Sequence, residues 1–182
     1  MKRFTAFFVL VFAVFCFAGI DATAQSFAPA AKASRSVDEQ VYRKLRGLMR
    51  SNVFDYITWQ VNGDTVTLSG KVHTMGTKRE AASRVKDIAG VTRVVNNIDE
   101  LPPSPFDDRI RRAAYAEFTS RGPAQYFGHP NPDVRIIVEN GRMTLEGYVA
   151  READSDLLNV LAHGIPGIFE VTNNLIVGKR KF

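Results

Sequence analysis

Thr67-Leu68-Ser69-Gly70-Lys71-Val72 recurs as Thr144-Leu145-Glu146-Gly147-Tyr148-Val149, a constant offset of 77 residues that also carries Gly90-Val91 onto Gly167-Ile168 and Val94–Ile98 onto Val171–Leu175. One register held across so much sequence means that a single supersecondary unit was duplicated. The chain must fold as two copies of a small unit, which argues against a single-site enzyme.

Each copy can be read from its own patterning. In the first, Val41, Leu45, Leu48 and Met49 fall on one helical face, and Arg43, Arg46 and Arg50 on the opposite one. Ile57, Trp59 and Val61 then alternate with polar residues, Asn62-Gly63 signals a tight turn, and Val66, Leu68, Gly70 and Val72 alternate again, which predicts a hairpin with Trp59 on its apolar face. Thr77 with Glu80 has the spacing of a capping box for a second helix, with Ala81, Val85 and Ile88 inward and Gly90 as its stop. The β-branched run Val91–Ile98 supplies a third strand.

The second copy repeats the order: a helix over about 107–120 with Ile110, Ala114 and Phe118 inward, strands near 134–139 and 142–149 joined at Asn140-Gly141, a helix over 152–163, and a strand over 168–177. The fold class is therefore α+β, two tandem αββαβ domains, each a three-stranded sheet packed by two helices. Domains this small bury limited apolar surface, so packing of one against the other is expected.

The expected boundaries are 1–24 for a signal peptide, 25–36 for a flexible leader rich in Ala, Ser and Pro, 37–101 for the first domain, 102–105 for a stiff Pro-rich connector, 106–178 for the second domain, and 179–182 for a basic tail. Met1-Lys2-Arg3 followed by an almost wholly apolar run, with Ala22-Thr23-Ala24 as a small-x-small triplet, predicts export to the periplasm and cleavage before Gln25. Cys16, the one cysteine, leaves with that segment and lacks the small preceding residue of a lipoprotein signal. No thiol then remains for disulfides, thiolate catalysis or cysteine metal sites.

The paired motifs Val66-x-Leu68-x-Gly70-x-Val72 and Met143-x-Leu145-x-Gly147-x-Val149 are each followed by a helix, a Gly-Val or Gly-Ile step, and Val94-Val95-Asn96-Asn97-Ile98 or Val171-Thr172-Asn173-Asn174-Leu175. On these residues the chain resembles the BON domain, a family named for bacterial osmotic-stress and nodulation proteins. The resemblance implies an exported, non-catalytic module concerned with envelope integrity and stress, with phospholipid or another envelope component as ligand. Gly70 and Gly147 read as structural residues, where a missing side chain permits a bulge or the close approach of a helix backbone.

No catalytic residues emerge. His73, His129 and His163 have no metal-ligand spacing, and no phosphate loop, nucleophile elbow or dinucleotide fingerprint is present, so neither metal nor cofactor is expected. The candidate contact residues are basic: Arg43, Arg46 and Arg50 in the first domain, and Arg109, Arg111 and Arg112 in the second. Such helix faces suit an anionic phospholipid or membrane surface, or they are simply solvated faces paired with Asp38, Glu39, Asp107 and Asp108. Tyr126 and Phe127 lie in an insertion peculiar to the second copy and either meet a membrane or partner or fold back over their own core. The rival functions are a protein-interaction scaffold of an envelope assembly and an osmotic-stress holdase. Nucleic acid is not an expected partner, because an exported chain rarely meets it and no stacking platform accompanies the cations.

Overall fold

The computed structural model describes residues 36–128 and 130–178. The expected signal peptide, nearly all of the leader, Cys16, His129 and the basic tail lie outside the described residues.

The element order is α1 (Val37–Arg46), β1 (Tyr56–Asn62), β2 (Thr65–Val72), α2 (Met75–Lys86), β3 (Arg93–Glu100), α3 (Pro105–Ser120), a 3₁₀ turn (Ala124–Phe127), β4 (Val134–Glu139), β5 (Arg142–Val149), α4 (Glu152–His163) and β6 (Glu170–Val177). Each repeat is αββαβ, with strand order β1-β2-β3 in one sheet and β4-β5-β6 in the other. The hairpins are antiparallel, and the third strand of each sheet runs parallel to the central one.

Alternation decides which face of each sheet is covered. Val66, Leu68 and Val72 of β2 and Ile98 of β3 turn inward onto Val41 of α1 and Ala81 and Val85 of α2, giving the first core. The second gathers Ile136, Val138, Met143 and Leu145 under Ile110, Ala114 and Phe118 of α3 and Leu158, Leu161 and Ala162 of α4. The repeat extends to single bonds. Thr92 N donates to Asp64 O as Phe169 N donates to Gly141 O, and Leu101 N donates to Val72 O as Gly178 N donates to Val149 O. The duplicated asparagine also has a structural task. Asn96 donates from Nδ2 to Lys78 O and accepts Ile98 N at Oδ1, and Asn173 does the same with Ser155 O and Leu175 N, tying the third strand to the second helix.

Gly70 and Gly147 hold φ near +121° and +119°. A Cβ at either position would lie 2.1 Å from Tyr56 O or 2.0 Å from Asp133 O. The close approach comes from the entry of the neighbouring strand, not from a helix.

Several local expectations change. The first hairpin turns at Gly63-Asp64, because Asn62 pairs with Thr65 across it, whereas Asn140-Gly141 forms the second turn with φ of +52° and +73°. The offset of 77 itself aligns Gly63-Asp64 with Asn140-Gly141, so the Asn-Gly dipeptide of the first copy is one residue out of register. Helix α1 stops at Arg46, so Leu48, Met49 and Arg50 follow it in a loop. The Glu80 carboxylate there accepts Met49 N and Arg50 N, holding those amides out of a helix, and Met49 is 86% exposed instead of inward. Glu80 is therefore no capping-box residue. Thr77 lies buried inside α2 and donates to Arg50 O; the helix starts at Met75, whose amide is taken by the Glu100 carboxylate from the end of β3. A tertiary acceptor has replaced the local cap. Helix α2 ends before Gly90, at Lys86, and the third strands start two residues late, at Arg93 and Glu170. Helix α3 starts two residues early, because Pro105 suits a first helical position and Ser104 Oγ accepts Asp107 N.

The repeats pack on each other. The segment Asn52–Asp55 folds on itself, with Asp55 accepting the amides of Asn52 and His73. It projects Val53, 8% exposed, into the second core. Ile136 N donates to Val53 O at 2.9 Å and Arg135 Nη1 to Asn52 O at 2.7 Å. His73 meets Asp108 at 3.2 Å, and Lys71 pairs with Glu139.

Candidate functional site

The basic candidates separate into three environments. Arg43 and Arg46 occupy exposed positions on α1, where Arg43 pairs with Glu39 at 2.8 Å and the Arg46 guanidinium lies 5.7 Å from the Tyr42 ring centroid. Arg50 is exposed in the following loop and lies against Gly76 at the start of α2. Helices α1 and α2 pack side by side, and both expose cations, Arg79 and Lys86 on α2 among them, while Arg46 also lies at the rim of a cleft beside Tyr42. Glu80 is spent on Arg84 and on the loop amides.

Arg109 and Arg112 are exposed on α3. Arg109 sits 5.8 Å from the centroid of Phe106, which stacks on Phe169 at 6.2 Å, and Phe169 is 77% exposed. Sequence patterning missed this aromatic pair, because Phe106 lies on α3 and Phe169 in the loop before β6, far apart in sequence, and neither interrupts a hydrophobic period.

Arg111 is a correction. It is 2% exposed, donating through Nη2 to Val138 O and through Nη1 to Asp108 Oδ1 at 2.6 Å. That bond, with His73 beside it, holds the Asp108 carboxyl below the usual carboxylate range. Arg111 therefore braces α3 against β4 and cannot reach a ligand. Counting basic residues along a helix could not separate it from Arg112, since adjacent residues point about 100° apart and only the fold says which is inward.

Tyr126 and Phe127 are a second correction. Both are buried, so the inserted loop folds back and presents neither of them. Phe127 stacks on Phe118 at 5.5 Å. Tyr126 OH donates to Asp154 Oδ2 at 2.7 Å and accepts Ala150 N at 2.8 Å. Arg151 and then Tyr126 hold the Asp154 carboxyl below its usual range. A polar tip that finds partners lets tyrosine plug a core.

Asp107 also went unrecognised. The sequence offers it as a surface partner for the cations, yet it is buried and accepts both amides of the Asn140-Gly141 turn, at 2.9 and 2.8 Å.

Between the repeats lies a cleft of about 610 Å³, walled by Tyr42 and Leu45 of α1, by β1 around Trp59, and by Arg135, Tyr148 and Ile176 of the second sheet. Trp59 is half-buried there, donating from Nε1 to Asp38 Oδ1 at 2.8 Å. Within it Asp55 is held above the usual aspartate range by burial, against the opposing pull of the amides it accepts. Among the described residues no group of His, Cys, Asp and Glu is arranged to hold a metal, and no helix is long and apolar enough to cross a membrane.

Comparison with known proteins adds the following. A solved structure of CdsD, a structural protein of the type III secretion system of Chlamydia trachomatis, is 14% identical and aligns over 81% of this chain and 94% of its own, at a TM-score of 0.32. The C-terminal domain of CdsD is also 14% identical, over 79% of this chain and 98% of its own, at a TM-score of 0.31. No curated protein matches. The model of the BON domain matches twice, over residues 37–102 and 107–179. Two matches that together span most of the chain, each laid over one αββαβ unit, make this protein a tandem member of the BON domain family.

Proposed function

We propose that this protein is a non-catalytic, exported module of the bacterial envelope that acts in the periplasm by resting on an anionic phospholipid surface. The observation that carries this reading is the exposure of several cations on the neighbouring helices α1 and α2 and the loop after α1, at Arg46, Arg50, Arg79 and Lys86, while Glu80 is already engaged by Arg84 and by backbone amides. Each basic group near a charged bilayer is worth on the order of 1 kcal/mol, so a handful gives a weak, reversible attachment that salt erodes. Arg109 and Arg112 on α3 form a second, smaller cationic site beside the exposed Phe106-Phe169 pair.

Co-sedimentation of the full chain with phosphatidylglycerol-containing and purely phosphatidylcholine vesicles across a salt series tests this. Binding should be confined to the anionic vesicles, weaken as salt rises, and be lost in Arg46→Glu/Arg79→Glu while Arg109→Glu/Arg112→Glu retains most of it. Failure to sediment with anionic vesicles at low salt would reject the reading, and salt-insensitive capture of an envelope protein would favour the scaffold role instead.

A further inference from the structure

The two hairpins differ in what meets their outer edge. In a two-residue hairpin the residues flanking the turn form a mutually bonded pair, and bonded pairs recur at every second residue. Asn62 pairs with Thr65, so Thr58 and Gln60 direct their amides and carbonyls at β2, whereas Ile57, Trp59 and Val61 direct theirs away from it. By the same count Ile136 points its backbone away from β5. There it is occupied: Ile136 N donates to Val53 O at 2.9 Å, and the Val53 side chain enters the core beside it. The offset of 77 carries Ile136 back onto Trp59. Among the described residues no backbone bond reaches the Trp59 amide from outside its own sheet.

That edge borders the cleft. Ile57 and Trp59 line one side, Leu45 and Leu48 the end beneath α1, and Tyr148 and Ile176 the side belonging to repeat two. Outer strands are commonly guarded by charge or proline. The other three carry charges, at Arg93, Asp99 and Glu100 of β3, Arg135 and Glu139 of β4, and Glu170 of β6, whereas Tyr56–Asn62 has neither a charge nor a proline.

The geometry points to the β1 edge as a docking groove for an extended segment of a partner polypeptide, which adds as a strand along Ile57-Trp59-Val61 and inserts an apolar side chain beneath α1. Repeat two shows the corresponding contact made by a turn, which offers Val53 O to Ile136 N and the Val53 side chain to the core; an extended partner would make that contact at each outward residue of β1. Ile57 to Val61 spans about 13 Å at the rise of a strand, enough for four or five residues of partner. Main-chain bonds provide attachment and the apolar insertion provides selectivity. The groove shares Arg46 at its rim with the cationic helix surface, but its strand edge is formed by uncharged residues and does not need the lipid reading to hold.

Trp59 is the only tryptophan, so it reports on its own groove. The full chain would be titrated with a blocked synthetic peptide of sequence Arg-Ser-Asn-Val-Phe-Asp-Tyr, and with a second peptide alternating Val and Thr around one Phe. Expected are a saturable change in Trp59 fluorescence, slowed exchange of the Ile57, Trp59 and Val61 amides, loss of binding when the peptide backbone is N-methylated, and at least tenfold weakening by Ile176→Phe, which narrows the cleft from repeat two without adding a second tryptophan. A melting curve for Ile176→Phe would check that it folds as the parent does. The inference falls if neither peptide protects the Trp59 amide, or if N-methylated peptide binds equally well. It also falls if monomeric anionic single-chain lipid saturates the signal where peptides do not, which would give the cleft to an acyl chain. Protection that grows with protein concentration alone would give the edge to a second copy and equally overturn it.

Discussion

Repeat one and repeat two build the same ladder and then finish it differently. The glycine kink, the asparagine tie between third strand and second helix, and the bonds closing each hairpin superimpose at the offset of 77. What differs lies around that scaffold. Repeat two closes the outer edge of its hairpin with Val53 from its sibling, seals its core with Tyr126 and Phe127, and anchors its turn on the buried Asp107. Repeat one leaves the corresponding edge along a cleft, turns its hairpin on the exposed Asp64, and covers its helices with cations. Shared residues thus serve the fold, and the residues that diverged are where binding should be sought.

The strongest way to break this comparison is to attack what the repeats share. Gly70→Ala and Gly147→Ala should each cost about 3–5 kcal/mol in denaturant unfolding, because both force a side chain into backbone at a conformation that L residues avoid. Similar losses are expected from the two; a tolerated alanine at either would separate the repeats at the level of the scaffold. Next comes the turn. Asp107→Ala strands two amides, Asn140 N and the buried Gly141 N, and should cost about 2–4 kcal/mol, while Asp64→Ala, whose partners reach water, should cost far less. Val53→Ala should cost about 1–2 kcal/mol and lower the stability of repeat two, although the residue belongs to repeat one.

Element type and order were legible because alternation, helical spacing and the repeated motif agree. Side-chain destination was less so. Arg111 and Asp107 are polar residues on an amphipathic helix whose burial depends on acceptors and donors supplied by β4 and its turn, some 27 to 34 residues further along. Thr77 and Glu80 satisfied a local capping rule, but long-range partners outcompeted it. Other signals were present and underused. The offset locates the first turn at Gly63-Asp64, and the apolar pair Val53-Phe54 between polar neighbours marks a segment with something to bury. The cleft could not be read at all, since it arises from how the two units pack.

The smallest expected effect is on pH dependence. Asp154 has a depressed carboxyl, so its contribution is present above the ordinary aspartate value and is lost as pH falls through its lower folded value. Asp55, raised by burial, runs the other way: folding favours its protonated form, and stability declines as pH rises from the ordinary value through its higher folded one. Melting curves between about pH 5 and pH 2 should therefore show the parent's advantage over Asp154→Asn shrinking with acid, whereas Asp55→Asn should remove a contribution of opposite slope. An advantage over Asp154→Asn that does not change with pH would dissolve that part of the contrast.

Residue-resolved amide exchange in the unliganded full chain addresses the contrast at its centre. Ile136 and Trp59 occupy equivalent positions and both point away from their central strands. Ile136 should exchange as slowly as the β4 amides bonded to β5, because Val53 O covers it, and Trp59 should exchange orders of magnitude faster than Thr58 beside it. Equal protection at Ile136 and Trp59 would mean that both edges are closed, or both open, and the division of labour between the repeats would be contradicted.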